Sequence, residues 1–427
     1  MKKSRPSLPV RVLLLIFTTL IAAGSLFGYN DLVKEKIYRE TPQKDVLIGL
    51  WSTPPKHAVP DQASMDRRCE EMYRLGARML ITLEEQWDMA YLKRLLNGAE
   101  KYGIKVLVYV NDDLDRITSV IRETRSHPAV MGYYLKDEPL EGEFRALNKI
   151  FSQVKNSVSE NFLLVGNLLP DYGVTMIGGG NYKNYVSSFY ETVPDANAVF
   201  FDSYIYRTTG TNISSLLYTL AVNRAVANEK QIDMYPILQA ASWGIQKTPS
   251  VGDLRFQANL ALLFGSAGFT WYYYWIPYDM EDYLTQYAMV TYDGEKTAQW
   301  DAVQTVNREI HKMKGVFLDY EFQGIIPYNI SYMENALRTF DYIRTEYKEL
   351  KAIQGNGNIL IGCFEKEGKT GLYAMNLAED GPSSATLQLD GIHSYQIWNA
   401  DGLSVLDRGS EIPLQFGYGE GCFITIE

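Results

Sequence analysis

The strongest constraint on this 427-residue chain is an alternation that repeats eight times from Val46 onward: a short, nearly continuous apolar run, then an amphipathic stretch. The runs are VLIGLW (Val46–Trp51), ARMLITL (Ala77–Leu83), KVLVYV (Lys105–Val110) and VMGYYL (Val130–Leu135). They continue with FLLVGNL (Phe162–Leu168), AVFFDSY (Ala198–Tyr204), MYPILQA (Met234–Ala240) and GFTWYYYW (Gly268–Trp275). Runs this short and this rich in β-formers read as parallel strands buried on both faces. Between them, Gln62–Leu75 follows Asp61 as an N-cap, and Asp88–Tyr102 sets Leu92, Leu95, Leu96 and Ala99 at helical spacing before Gly103. Leu114–Arg125, Gly142–Val158, Tyr182–Thr192, Ser214–Asn228, Asp253–Gly265 and Thr297–Met313 complete the helical set. Eight strand–helix units over roughly 270 residues predict an α/β fold of the (β/α)8 or TIM-barrel class. A doubly wound open sheet is the competitor, but no Gly-rich phosphate fingerprint follows the first run.

After about Gly315 the pattern changes to strand-like runs separated by Gly, Asp, Asn and Pro turns. The expected organisation is a barrel over 46–315 and a small antiparallel β-sandwich over 316–427. At the other end, Lys2, Lys3, Arg5 and Arg11 precede an apolar run from Val12 to Phe27, with Ala22, Ala23 and Gly24 near a cleavage point. Residues 1–30 therefore read as a signal peptide or an uncleaved membrane anchor, with 31–45 as linker. The expectation is an exported protein, periplasmic, cell-surface or secreted, with a possible membrane tether at its N-terminus.

A formal net charge of −10 argues against nucleic acid and anionic membrane surfaces as partners. Tyr occurs 31 times and Trp seven times, which suits stacking on sugar rings as well as core packing. Cys69, Cys363 and Cys422 cannot all pair; Cys363 and Cys422 share the predicted sandwich, and buried free thiols are the simpler reading. Four His and no C-x-x-C argue against a zinc site, and no metal or cofactor is required, although Asp112 and Asp113 could hold calcium incidentally.

In barrels of this class the reacting groups lie past the C-terminal ends of the strands, and here those positions are polar. They are Trp51 and Ser52; Glu84 and Glu85; Asn111, Asp112 and Asp113; Lys136, Asp137 and Glu138; Asn167; Asp202 and Tyr204; Gln239; and Tyr274 with Trp275. Two carboxylates facing one sugar divide the work of proton donor and nucleophile or base. Glu138 is the first candidate for the donor, because the neighbouring charge of Asp137 raises its affinity for a proton. The alternative is that both acids cap the next helix. Asp202, set among aromatics in FFDSY, is the candidate second carboxylate; a structural partner such as Arg207 is its alternative. Glu84 and Asp112 are held in reserve as hydroxyl ligands or solvated loop acids. Trp51, Trp243, Trp271, Tyr274 and Trp275 are stacking or packing candidates, with Tyr204 beside the substrate, Asn167 and Gln239 as hydroxyl-binding amides, and His57 as a minor ligand candidate.

With these residues in view, the chain resembles bacterial glycoside hydrolases of the clan A barrel type, including the β-galactosidase-like family 42. The segment HPAVMGYYLKDEP (His127–Pro139) resembles the strand-four segment that carries the acid/base glutamate. VTYDGEKTAQWDAVQTVNREI (Val290–Ile310) resembles the end of such barrels, where a D-G-x-x-T turn leads into the last helix, and NILIGCFEKEGKTGLYAMNL resembles the sandwich that follows. The resemblance implies a carbohydrate substrate and a glycosidase with Glu138 as acid/base. It departs from the family at two positions: Asp137 stands where clan A enzymes generally have Asn, and Gln239 where they place the nucleophile glutamate. Either the second carboxylate has moved to Asp202, or the chain is a carbohydrate-binding barrel that has lost its nucleophile. An envelope scaffold with an aromatic surface is a third reading.

Overall fold

The computed structural model describes residues 45–82, 88–110, 114–176, 178–276, 287–330, 337, 339–378 and 381–427. The expected leader, Glu84, Glu85, Asn111, Asp112 and Asp113 lie outside the described residues.

The chain alternates strand and helix through β1 (Leu47–Trp51), α1 (Gln62–Leu75), β2 (Met79–Ile81), α2 (Met89–Lys101), β3 (Lys105–Tyr109), α3 (Leu114–Thr124) and β4 (Val130–Asp137). It continues with α4 (Phe144–Lys155), β5 (Leu163–Leu168), α5 (Asp171–Met176), α6 (Tyr182–Thr192), β6 (Ala198–Ser203) and a small hairpin of β7 (Tyr206–Arg207) and β8 (Gly210–Thr211). Then come α7 (Ile213–Lys230), β9 (Asp233–Gln239), α8 (Val251–Leu263), β10 (Gly268–Tyr272) and α9 (Ala298–Lys312). Eight of these strands close into a parallel barrel in the order β1-β10-β9-β6-β5-β4-β3-β2. All eight apolar runs became barrel strands. The helices begin where side-chain acceptors can take the first free N–H groups. Asp61 caps α1 in a reciprocal box with Ser64, Asp88 caps α2, and Ser250 caps α8 with Asp253. The D-G-x-x-T segment is a turn with Gly294 in the left-handed region, φ 91°, and Thr297 caps α9 through Gln299 N.

Two cores follow from the alternation of side chains along each strand. Ile48, Leu50, Val199, Phe201, Phe269 and Trp271 point outward to the helices, and Trp51, Tyr134, Val165, Ala198, Phe200 and Ile237 fill the barrel.

Beyond the barrel, β11 (Glu321–Tyr328), β12 (Leu350–Gly355), β13 (Ile359–Lys366), β14 (Lys369–Asn376), β15 (Ser383–Asn399), β16 (Gly402–Phe416) and β17 (Gly421–Ile426) form a seven-stranded antiparallel sheet. One edge of the long β15 pairs first with β12 and then with β17, while its other edge takes β16, so the sheet folds over its own core in the manner of a sandwich. Ile361, Leu372, Leu387, Ile412 and Ile424 fill that core together with Cys363 and Cys422, which are both buried free thiols, as is Cys69.

The sheet packs on the barrel through α8. The Tyr373 hydroxyl donates to Asn259 Oδ1 at 2.8 Å, Asn259 Nδ2 donates to Gly419 O at 2.8 Å, and Tyr418 stacks on Phe256 at 5.9 Å. A side chain at Gly362 would strike the Leu263 carbonyl, so this close approach of β13 requires glycine.

Candidate active site

The site is assembled at the C-terminal mouth of the barrel by the inward positions of β4, β5 and β6. On β6, Ala198 and Phe200 face inward, and the same two-residue period brings Asp202 to the mouth. On β5 the period through Leu163 and Val165 carries Asn167 to the same level. On β4 the register shifts between Tyr134 and Lys136, and Asp137 then lies level with Asn167. Glu138 follows in the left-handed region at φ 43°, with its N–H donating to Asn167 O at 2.9 Å. A non-glycine residue there costs about 1–3 kcal/mol, and such strain persists only where the surroundings impose it.

Together with Trp51, Leu169, Tyr172, Met176, Tyr204, Arg207, Trp243, Ile245, Gln246 and Tyr272, these acids line a hollow of about 510 Å³. Asn167 ties the acids together: Nδ2 donates to Asp137 Oδ1 at 3.1 Å and to Asp202 Oδ1 at 3.3 Å, while its own Oδ1 is buried with no partner among the described residues. The Tyr134 hydroxyl donates to Asp137 Oδ1 at 2.6 Å. Among the described residues nothing hydrogen-bonds the Glu138 carboxylate, which stays open to the hollow.

The alternative structural roles belong to other groups. Neither Asp137 nor Glu138 caps a helix; the acid that binds backbone in the turn before α4 is Glu143, which accepts from Leu140 N at 2.7 Å and from Lys136 Nζ at 3.0 Å. Arg207 does not pair with Asp202; its guanidinium lies 4.6 Å over the Tyr172 ring.

The acids hold protons more tightly than free carboxyls do. Burial, then the charge of Asp137, pushes Glu138 up to about 7. Burial, then Glu138, then Asp137 pushes Asp202 well above the carboxylate range, with the Asn167 hydrogen bond opposing. Asp137 is also raised by burial, against the bonds from Tyr134 and Asn167. Glu138 and Asp202 therefore titrate as a pair that retains a proton near neutrality.

Aromatic rings wall the rest of the hollow. Trp51 meets Tyr134 edge-on at 5.2 Å and Tyr272 at 5.9 Å, while Trp243, Tyr204 and Tyr272 pack mutually at 4.9–5.0 Å.

Three residues expected at the substrate are placed elsewhere. Gln239 is fully buried beneath the hairpin. Its Nε2 donates to Tyr206 O at 3.0 Å, Ala241 O at 3.3 Å and Lys247 O at 2.8 Å, and its Oε1 accepts from Tyr206 N at 3.0 Å. With every position of the amide committed to backbone, it has nothing left for a sugar hydroxyl. Tyr274 and Trp275 point outward into the layer between strands and helices, where Tyr274 meets Trp300 and Trp275 lies under Arg68 at 4.9 Å. Trp271 also faces outward, donating to Asn307 Oδ1 at 2.8 Å, and His57 sits against Tyr292.

Sequence reasoning passed over Tyr172, Met176, Ile245, Gln246 and Tyr272, and considered Arg207 only as a partner of Asp202. For Tyr272 a signal existed: in GFTWYYYW, strict alternation puts Phe269 and Trp271 outward and Tyr272 inward. Tyr172 and Met176 arrive on α5, a single extra helical turn without a periodic signature.

No family model matches the chain, and no curated protein matches it in sequence. Among solved structures, the chain is similar to a glycoside hydrolase at 11% identity, TM-score 0.54, over 90% of this chain and 92% of that one. It is similar to a glycoside hydrolase family 5 protein from Bacteroides vulgatus at 11% identity, TM-score 0.54, over 90% and 89%. A beta-galactosidase from the Antarctic haloarchaeon Halorubrum lacusprofundi aligns at 10% identity and TM-score 0.49 over 69% of this chain, which spans only 63% of that protein. The first two likenesses extend through barrel and C-terminal sheet alike and establish the shared fold.

Proposed function

We propose that this protein is a glycoside hydrolase of the clan A barrel type, cleaving a glycosidic bond in an oligo- or polysaccharide outside the cytoplasm. The observation that carries the reading is the meeting of Glu138 and Asp202 in one aromatic-walled hollow where burial and mutual repulsion keep a proton between them. Glycoside cleavage needs one neutral carboxyl and one carboxylate at the same sugar. Burial favours neutral Asp202 in the free protein. With a sugar bound, the developing positive charge at the anomeric carbon favours the carboxylate form of Asp202, so the one proton of the pair resides on Glu138. Asp202 then answers the charge as nucleophile or base, and Glu138, which no described residue hydrogen-bonds, gives its proton to the departing oxygen. Asn167 keeps Asp137 and Asp202 in register and offers its unpartnered Oδ1 to a substrate hydroxyl. The similarity in fold to glycoside hydrolases and the strand-four resemblance support the same reaction class.

The test is turnover of a glycan panel by the full chain and by Glu138→Gln. Loss of one acid group lowers turnover about 10²–10⁴-fold, with the melting curve of the variant showing an intact fold. Unchanged turnover removes Glu138 from the mechanism. One observation favours a second reading, a barrel that binds carbohydrate without cutting it: strand β9 sends no carboxylate to the hollow, because Gln239 is committed to the hairpin. Glycan binding with no cleavage of any bound glycan would establish that reading instead.

A further inference from the structure

The hollow that holds the acids also holds a cation that none of them pairs with. Arg207 lines the hollow, its Nε is buried without a hydrogen-bond partner, and no ion pair holds it among the described residues. The guanidinium is held rather than loose. It lies 4.6 Å over the Tyr172 ring, and the Tyr172 hydroxyl is itself fixed by the Tyr204 N–H at 2.9 Å. Its backbone is equally constrained, because Gln239 grips both Tyr206 and Lys247, the hairpin bridges Arg207 to Gln246, and Thr208 N donates to Ile245 O at 2.9 Å. Beside it, Gln246 presents a buried Oε1 with no partner among the described residues.

We infer that the hollow selects a sugar residue that carries a carboxylate, with Arg207 as the group that reads it and Gln246 accepting from a neighbouring hydroxyl. This rests on the carbohydrate reading of the same site. The buried Nε of this guanidinium is a donor without a partner among the described residues, and a ligand acceptor completes it. Its planar fork matches the two oxygens of a carboxylate, a geometry that a neutral sugar does not use. Tyr172, which carries Arg207 on its ring, lines the same hollow as the acids, so a sugar bound there lies within the reach of both. Gln239 acquires a role as a positioning residue: it fixes the hairpin that presents the cation.

Calorimetric titration of full-length Glu138→Gln protein with glucuronic- and galacturonic-acid disaccharides, their methyl esters, matched neutral disaccharides and sulfated disaccharides tests this. The uronides bind about tenfold or more tighter than the neutral sugars, as one charge-assisted contact dictates, and methyl esters lose the advantage. Arg207→Met brings uronide affinity down to that of the matched neutral sugar in the same variant, and Arg207→Lys retains part of the preference. Equal binding of neutral and acidic sugars, or an uronide preference that survives in Arg207→Met, overturns the inference. Stronger binding of the sulfated sugars overturns the carboxylate assignment. Should Arg207→Met fail to fold, the comparison of uronide with methyl ester still decides. Uronide binding without hydrolysis by the unmodified chain sinks the hydrolase reading alone, whereas cleavage of neutral glycosides with no uronide preference sinks this one alone.

Discussion

At the residue scale, Glu138 shows how a short sequence feature becomes a chemical property. The dipeptide Asp137–Glu138 at a strand end was legible, and so was the direction in which the neighbouring charge moves the proton affinity. What sequence did not show is that burial is the larger cause, or that Asn167 would bridge Asp137 to an acid from a third strand. The raised affinity has a consequence for stability. An unfolded Glu releases its proton near 4.5 and the folded Glu138 near 7. Below the lower value the group contributes nothing. Between the two the unfolded state gains by releasing its proton first, and above the upper value the folded state carries the full penalty. Glu138→Gln removes that penalty. Its melting temperature equals that of the unmodified chain at pH 4 and exceeds it at pH 8; a variant that melts lower at pH 8 contradicts the shift.

At the scale of elements, the legible parts were those with room for a periodic signal. Helices such as α1 and α2 were placed within a residue or so at each end, because Asp61, Asp88 and the glycines that follow mark their ends. The two-residue strands β7 and β8 and the six-residue α5 were not legible, since neither spans enough residues for a period of two or 3.6 to show. These short insertions supply Tyr172, Met176 and Arg207 to the hollow. The same limit explains Gln239. Its strand-end position is legible, but the hairpin that consumes its amide is not. Replacing Gln239 by Leu strands the Ala241 and Lys247 carbonyls and the Tyr206 N–H, and costs about 3 kcal/mol or more in denaturant unfolding. Gln239→Glu creates no activity in a glycosidase assay and destabilises the protein, because a carboxylate there faces the carbonyls of Tyr206, Ala241 and Lys247. A gain of turnover in Gln239→Glu contradicts the hairpin role.

At the scale of the whole molecule, the barrel was legible because eight double-sided strands admit few other arrangements, and the sheet because its turns change character after Gly315. Their joint was not legible. Tyr373 and Asn259 are 114 residues apart, and nothing local marks them as partners. The joint predicts that the barrel segment does not stand alone. Without residues 316–427, Phe256 loses Tyr418, the buried Asn259 amide loses Tyr373 and Gly419, and the Ala221 carbonyl loses the Tyr342 hydroxyl. A fragment of residues 45–315 is expected to be aggregated or loosely packed, with weak near-ultraviolet circular dichroism; a cooperative melt close to that of the full chain contradicts this dependence. The central claim is that Glu138 and Asp202 share the protons of one reaction and that the charge of Asp137 beside them holds those protons in place. The pH dependence of kcat/KM for glycoside hydrolysis, measured for the unmodified chain and for Asp137→Asn, tests it most directly. The account predicts that activity falls as pH rises above neutrality, where the Glu138–Asp202 pair gives up its remaining proton, and that this fall moves to lower pH in Asp137→Asn once the neighbouring charge is gone. A rate that keeps climbing at alkaline pH, or a falling limb indifferent to Asp137, would contradict it.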